Sequence, residues 1–216
     1  PLWVAASRRE TTMVAARLGM GSLGFGFETP DELGERALEY YRLVREELMP
    51  IGHAINPALA VLNTFMMGDT DEEAMIRSAN GPAFFSYSLG YFYNPAVGGN
   101  HQPGEANVYR DFLNRSTETA AMQAERGGFL SPEEIKSEEP DDEVQKALYR
   151  AARSGNAIGT TETLRKTLLK YEEQNLDTMI FVAQCGDRKH EHIMESIEKF
   201  GKELLPEFKE RHETQH

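Results

Sequence analysis

The chain has 216 residues, 40% of them hydrophobic and 27% charged, with a formal net charge of -12. That profile belongs to a globular polypeptide with one substantial core. The acidic balance argues against a nucleic-acid or anionic-membrane surface. No apolar run approaches the roughly 18 residues of a membrane span, the start lacks the charged-then-apolar layout of a signal peptide, and the single cysteine, Cys185, excludes an internal disulfide framework and points to a reducing cytoplasm.

The chain opens directly on an apolar run, residues 2–6, with no initiator Met or leading turn. A helix follows from the loop Ser7-Arg8-Arg9-Glu10-Thr11, and a second apolar run covers 22–27. In such units the amides that open the helix point beyond the carboxyl end of the strand, so a loop with two hydroxyls and two cations suits a phosphate. Ser7 and Glu10 also form a capping box, with or without a ligand.

The same start signal recurs at Thr29-x-x-Glu32, Thr70-x-x-Glu73 and Ser131-x-x-Glu134, with Pro30 and Pro132 at the favoured first helical position. Leu33, Ala37, Tyr40, Tyr41 and Val44 recur at helical spacing. A third strand reads over 59–67. Gly159-Thr160 opens a helix through about Gln174, residues 178–184 read as a fourth strand, and Ile193, Ile197, Phe200 and Leu204 mark a final helix.

Strands alternating with helices predict a parallel sheet. Four strands in 216 residues supply half of a (β/α)8 barrel. The expected architecture is therefore the carboxyl-terminal half of a TIM barrel, one partial domain spanning 1–216. The alternation stops between Ser78 and Ile158, so 78–158 reads as a long insertion or lid before the last βα unit. Its aromatic start (Phe84, Phe85, Tyr87, Tyr91, Phe92, Tyr93) fits either a pocket for an apolar substrate or a cluster that buries itself.

Three stretches resemble the luciferase-like, flavin-dependent monooxygenases. Pro1-Leu-Trp-Val-Ala-Ala-Ser7, with Glu10-Thr11 and Ala15-Ala16-Arg17-Leu18-Gly19, resembles the family's fifth strand, flavin-phosphate loop and following helix. Gly159-Thr160-Thr161-Glu162 resembles the Gly-Thr-Pro-Glu before the last strand, with Thr161 in place of Pro. Ile180-Phe-Val-Ala-Gln-Cys-Gly186, His190-Glu-His-Ile-Met-Glu-Ser196 and Glu203-Leu-Leu-Pro-Glu-Phe208 resemble the last strand and closing helix.

The resemblance implies strands five to eight of the barrel and an enzyme that oxygenates a small organic substrate with O2 and reduced FMN from a separate flavin reductase. An F420-dependent oxidoreductase and a non-catalytic flavin-binding relative are the alternatives. It further implies Ser7, Arg8 and Thr11 as phosphate donors, Arg9 as added charge, Phe25 and Phe27 beside the flavin ring, and a homodimer for the full-length protein. Catalytic residues are not implied for this half, because the cofactor-facing residues of the first four strands are not in it.

Other conspicuous residues have simpler readings. His190, Glu191 and Met194 lack the paired histidines, four apart, of a helical zinc site, and Asp69-Thr-Asp-Glu-Glu73 lacks the glycine and distal glutamate of a calcium loop, so no metal site is expected. Cys185 reads as a passive wall residue. His53 and His101 read as solvated loop histidines.

Overall fold

The computed structural model describes residues 1–6, 8–26, 30–78, 81–93, 107–114 and 157–215. Two successive βαβ units lead the chain: β1 (Trp3–Ala5), α1 (Arg9–Arg17), β2 (Gly21–Phe25), α2 (Pro30–Glu46) and β3 (Leu59–Met67). Then come α3 (Asp71–Ser78), α4 (Gly81–Tyr93) and a short helix α5 over 108–114. The described chain resumes at β4 (Ala157–Gly159), followed by α6 (Thr161–Glu173), β5 (Thr178–Val182), α7 (His190–Glu203) and α8 (Leu205–Gln215).

All five strands are parallel. β1 pairs with β2 from Trp3↔Gly21 to Ala5↔Leu23, and β2 pairs with β3 from Ser22↔Leu59 to Phe25↔Leu62. β5 registers with β3 from Ala60↔Thr178 to Thr64↔Val182. Because residues 60–62 are matched by both β2 and β5, those two strands lie on opposite edges of β3. β4 pairs with the carboxyl end of β3, Phe65 to Met67.

The central place of β3 explains its sequence. A parallel strand covered on both faces reads as a continuous apolar run, and Leu-Ala-Val-Leu-Asn-Thr-Phe-Met-Met is buried at every position but Leu62. On one side of it Met13 and Ala16 of α1 pack with Ala37, Tyr40 and Leu43 of α2. Toward its carboxyl end Phe65 and Met67 pack with Ala157, Leu164 and Leu204, and Phe65 stacks on Phe181 with ring centres 4.6 Å apart.

Two elements depart from the sequence reading. The helix expected to open at Gly159-Thr160 does so, with Thr160 as its N-cap and Gln174 as its C-cap, but β4 precedes it, and its three residues acquire strand form through pairing with β3. The final helix is two helices: Pro206 falls in the first turn of α8, where its missing N–H costs nothing. Most of the 78–158 insertion, with its Ser131 box, lies outside the described residues, as does the Thr29 box position.

Candidate ligand site at the carboxyl ends of the strands

Parallel strands deliver all their carboxyl ends to one face of the sheet. The loop after β1 turns into α1 at Arg8, which is the N-cap, one residue later than the capping-box reading places it. Arg8 is exposed, its side chain makes no cap bond, and it has no ion pair among the described residues. Thr11 is half-buried in the first turn, its amide bonded to the Arg8 carbonyl at 3.1 Å. Glu10 adds an acidic side chain to the same turn, outside the sheet.

Arg9 is committed elsewhere: its guanidinium holds Glu39 of α2 at 2.6 and 2.9 Å. Ser7 and Phe27 lie outside the described residues. Phe25, at the end of β2, is half-buried and meets Phe85 of α4 edge-on, with ring centres 5.9 Å apart. So Arg8 and Thr11 stand together on the turn after β1, and Phe25 faces α4.

The aromatic start of the insertion packs upon itself. Phe84 meets Tyr109 and Phe112 of α5 at 5.1 and 5.5 Å between ring centres, and Tyr87 meets Phe112 at 5.6 Å. That favours the self-burying cluster over an open pocket wall, although Phe92 stays 70% exposed.

Two arginines that sequence reasoning did not single out as site residues are buried near these loops. Arg36 of α2 is 7% exposed and lies under the carboxyl end of β1: a methyl group added at Gly24 would sit 3.4 Å from its Nη2 and 3.5 Å from the Ala6 carbonyl. Arg188, on the loop after β5, is 6% exposed. The spacing of Arg36 from Leu33 and Ala37 was the only available signal for the first, since it shares their buried face.

Cys185 is buried, and its thiol donates to the Gly81 carbonyl at 3.0 Å. Burial pushes its pKa up, against a smaller opposing pull from Arg188. A neutral, buried thiol suits a passive wall. His53 is exposed, and His101 lies outside the described residues. His190 opens α7 and His192, two residues on, is half-buried. Among the described residues no three His, Cys, Asp or Glu side chains are grouped as a metal site. No helix of the described residues is long and apolar enough to cross a membrane.

Residues 1–178 match the family model described as luciferase-like monooxygenase. No protein of curated function matches the sequence. Among solved structures, the chain is similar to monooxygenase RslO1 from Streptomyces bottropensis, with 12% identity, a TM-score of 0.51 and coverage of 94% of this chain and 46% of that one. It is similar to the oxygenating constituent of 3,6-diketocamphane monooxygenase from Pseudomonas putida, solved with FMN, at 16% identity, TM-score 0.51 and coverage of 94% and 48%. It is also similar to the coenzyme F420 dependent tetrahydromethanopterin reductase from Methanopyrus kandleri, at 14% identity, TM-score 0.51 and coverage of 96% and 51%. The chain thus spans about half the length of these proteins, and at such identities the likeness is one of fold.

Proposed function

The chain belongs to the luciferase-like monooxygenase family, and we propose that it forms the carboxyl-terminal half of a (β/α)8 barrel that binds reduced FMN and oxygenates a small organic substrate with O2. The observation that carries this reading is the turn after β1. Within the matched residues it offers an uncommitted guanidinium, Arg8, and the Thr11 hydroxyl at the start of a nine-residue helix. A helix N-terminus with a cation and a hydroxyl fits the phosphate of a mononucleotide.

In this reading Arg8 and Thr11 hold the phosphate, joined by Ser7, while Phe25 and Phe27 flank the ring. Reduced flavin, supplied by a separate reductase, brings the reactivity toward oxygen that no amino-acid side chain has. The chain's own residues bind and orient the cofactor, and the Phe25–Phe85 contact helps exclude water from its surroundings. Homodimerisation of the full-length protein and a cytoplasmic setting, which suits the buried free Cys185, complete the proposal.

Anaerobic titration of the full-length protein with reduced FMN and with reduced F420 separates the two cofactors, and oxygen uptake with a flavin reductase present separates an oxygenase from a silent flavoprotein. Replacing Arg8 and Thr11 together with Ala is expected to weaken FMN binding by about tenfold or more, the loss of a charge-assisted contact and a neutral one. Unchanged affinity would remove the turn after β1 from the cofactor site.

A further inference from the structure

Each strand of the sheet has a helix side and a far side. Ser22 of β2 bonds to Thr12 of α1 at 3.2 Å, and Met179 and Phe181 of β5 pack among side chains of α2, α6 and α7. Strand alternation therefore puts Gly21 of β2, its partner Trp3 of β1, and Ile180 of β5 on the far side. The Trp3 ring lies against Gly21, 2.6 Å from where a methyl group would sit. Trp3 is 45% and Ile180 38% exposed, each on a strand that pairs on one side only among the described residues.

The register fixes how such edges can close. Val4 is level with Ser22 and Ser22 with Leu59. Leu59 in turn is level with Asp177, one residue before the matched pair Ala60 and Thr178, and the Asp177 amide donates to the Leu59 carbonyl at 3.2 Å. A closed eight-stranded parallel barrel has a shear of eight, so matched residues drift by four over half a circuit. A second copy of these strands must therefore bring a position four residues from Val4 beside Asp177. Drift toward the amino end sets its Trp3 opposite Ile180, its Val4 opposite Phe181 and its Ala5 opposite Val182. Drift the other way slides β1 off β5 altogether. The one workable register thus makes neighbours of Trp3 and Ile180, the exposed far-side residues of the two edges.

The edge of β5 is held in place for such pairing. Arg188 Nη1 donates to the Phe65 carbonyl of β3 at 2.9 Å and to the Val182 and Ala183 carbonyls at 3.2 and 3.0 Å, tying the carboxyl ends of the two strands together. On α7, Glu195 and Lys199 turn to Arg77 of α3 and to Asp69 just before it. On the flank turned away from α3, Met194 is 50% and Ile197 48% exposed, and a methyl group at Gly201 would meet nothing within 4 Å, so a second helix can pack there. Burying Leu2, Trp3, Ile180, Met194 and Ile197 in two copies removes roughly 1,000 Å² of apolar surface, the size of a specific interface. The chain also spans 46–51% of the solved structures it resembles, so two copies supply the length of one.

We infer that two copies of this polypeptide close into one eight-stranded parallel barrel about a twofold axis, β5 of each paired with β1 of the other. The contact is self-complementary, so the assembly stops at two chains and no open edge is left. Closure brings the turn that carries Arg8 and Thr11 beside the loop after β5 of the other copy, and each candidate ligand site is completed by the second chain. The inference rests on the half-barrel reading and is independent of the cofactor.

The full 216-residue chain tests it by sedimentation equilibrium and fluorescence. Its mass should level off at two chains, and the emission of Trp3, the only tryptophan, should shift to the blue over the same concentration range as the ring leaves water. Disulfides read the register. In a Cys185→Ala background, Trp3→Cys equilibrated with Ile180→Cys should give a mixed disulfide on mild oxidation, because opposed residues of adjacent strands lie within reach of an S–S bond. Neither variant alone should cross-link. A disulfide in Trp3→Cys alone, which sets β1 against β1, overturns the closure. So does a dimer without the mixed disulfide, a mass that climbs past two chains, or a chain that stays monomeric with unshifted emission. If the cysteine variants do not fold, the mass and emission of the unaltered chain decide. The FMN titration of the full-length protein is a separate readout, so failure of the dimer and failure of the cofactor reading are told apart.

Discussion

A phenol buried between helix and sheet couples stability to pH. Tyr40 is fully buried, donates to the Met20 carbonyl at 2.6 Å and accepts from the Ala58 amide at 3.1 Å, so one side chain of α2 pins the entries to β2 and β3. Burial pushes its pKa from 10.0 up to about 12. The neighbouring Tyr41 is also raised, first by burial and then by its hydrogen bond to Asp177, whose carboxylate also accepts from the Leu59 amide at 2.7 Å. A raised folded pKa means that above pH 10.0 the unfolded chain releases protons the folded chain keeps. The contribution is complete below that pH and is lost as pH rises toward about 12. Urea unfolding at about pH 8 and about pH 11.5 should show a drop in the parent chain that is smaller in Tyr40→Phe. At neutral pH the same variant should cost about 1–3 kcal/mol, because it leaves the Ala58 amide and Met20 carbonyl without their partner. An identical alkaline drop in the two proteins would remove Tyr40 as its source.

At the scale of elements, the start of α6 is held by a residue far away in sequence. Thr160 caps its own helix, its Oγ1 accepting from the Thr163 amide at 3.2 Å, while the Asp71 carboxylate of α3 accepts from the Thr160 amide at 2.8 Å and the Thr163 hydroxyl at 3.0 Å. Asp71→Ala should cost about 1–2 kcal/mol, and its effect should be non-additive with Thr160→Ala in a double-mutant cycle. Gly159, at φ +150° and with Asp71 and Thr163 less than 3 Å from any added methyl, should lose about 1–3 kcal/mol on change to Ala. Chemical denaturation measures all of these. These elements also show what the sequence made legible. β3 was readable because a strand buried on both faces is a nearly continuous apolar run, broken here only by the buried Asn63 and Thr64, and α2 because Leu33, Ala37, Tyr40 and Leu43 share one buried face. Thr70 was readable as a cap, and its Oγ1 does take the Glu73 amide at 3.0 Å. The Glu73 carboxylate, however, takes the Asp69 amide instead of the Thr70 amide. β4 was not readable, since three residues show no period and their partners, Phe65 to Met67, lie 92 residues earlier. At the candidate site the strand-to-helix order was enough to put Arg8 and Thr11 on the turn after β1, whereas Phe25 was named only through the family resemblance. Arg188 could not be recognised as buried, because a Gly-Asp-Arg-Lys turn reads as solvated and its carbonyl acceptors come from two strands.

For the whole molecule the decisive property is that the sheet of the described residues is open. β1 and β5 each pair on one side only among the described residues, and both expose apolar side chains: Leu2 at 51%, Trp3 at 45% and Ile180 at 38%. Unpaired parallel edges with apolar flanks are templates for a further strand. In the proposed barrel the preceding βα units occupy both edges. Without them the 216-residue polypeptide is expected to associate with itself, opposed chiefly by the repulsion of its net charge of -12. Since salt screens that repulsion and leaves edge pairing intact, the weight-average mass in sedimentation equilibrium should rise with protein concentration and rise further when salt is raised from about 0.05 to about 0.5 M. Association driven by ion pairs would respond to salt in the opposite direction. Leu2→Lys combined with Ile180→Lys places a charge on each edge and should move the distribution toward monomer without changing the circular dichroism spectrum. If the double variant associates as strongly as the parent, the contact lies elsewhere, and the exposed Leu38 and Val14 on α2 and α1 are then the surfaces to change next.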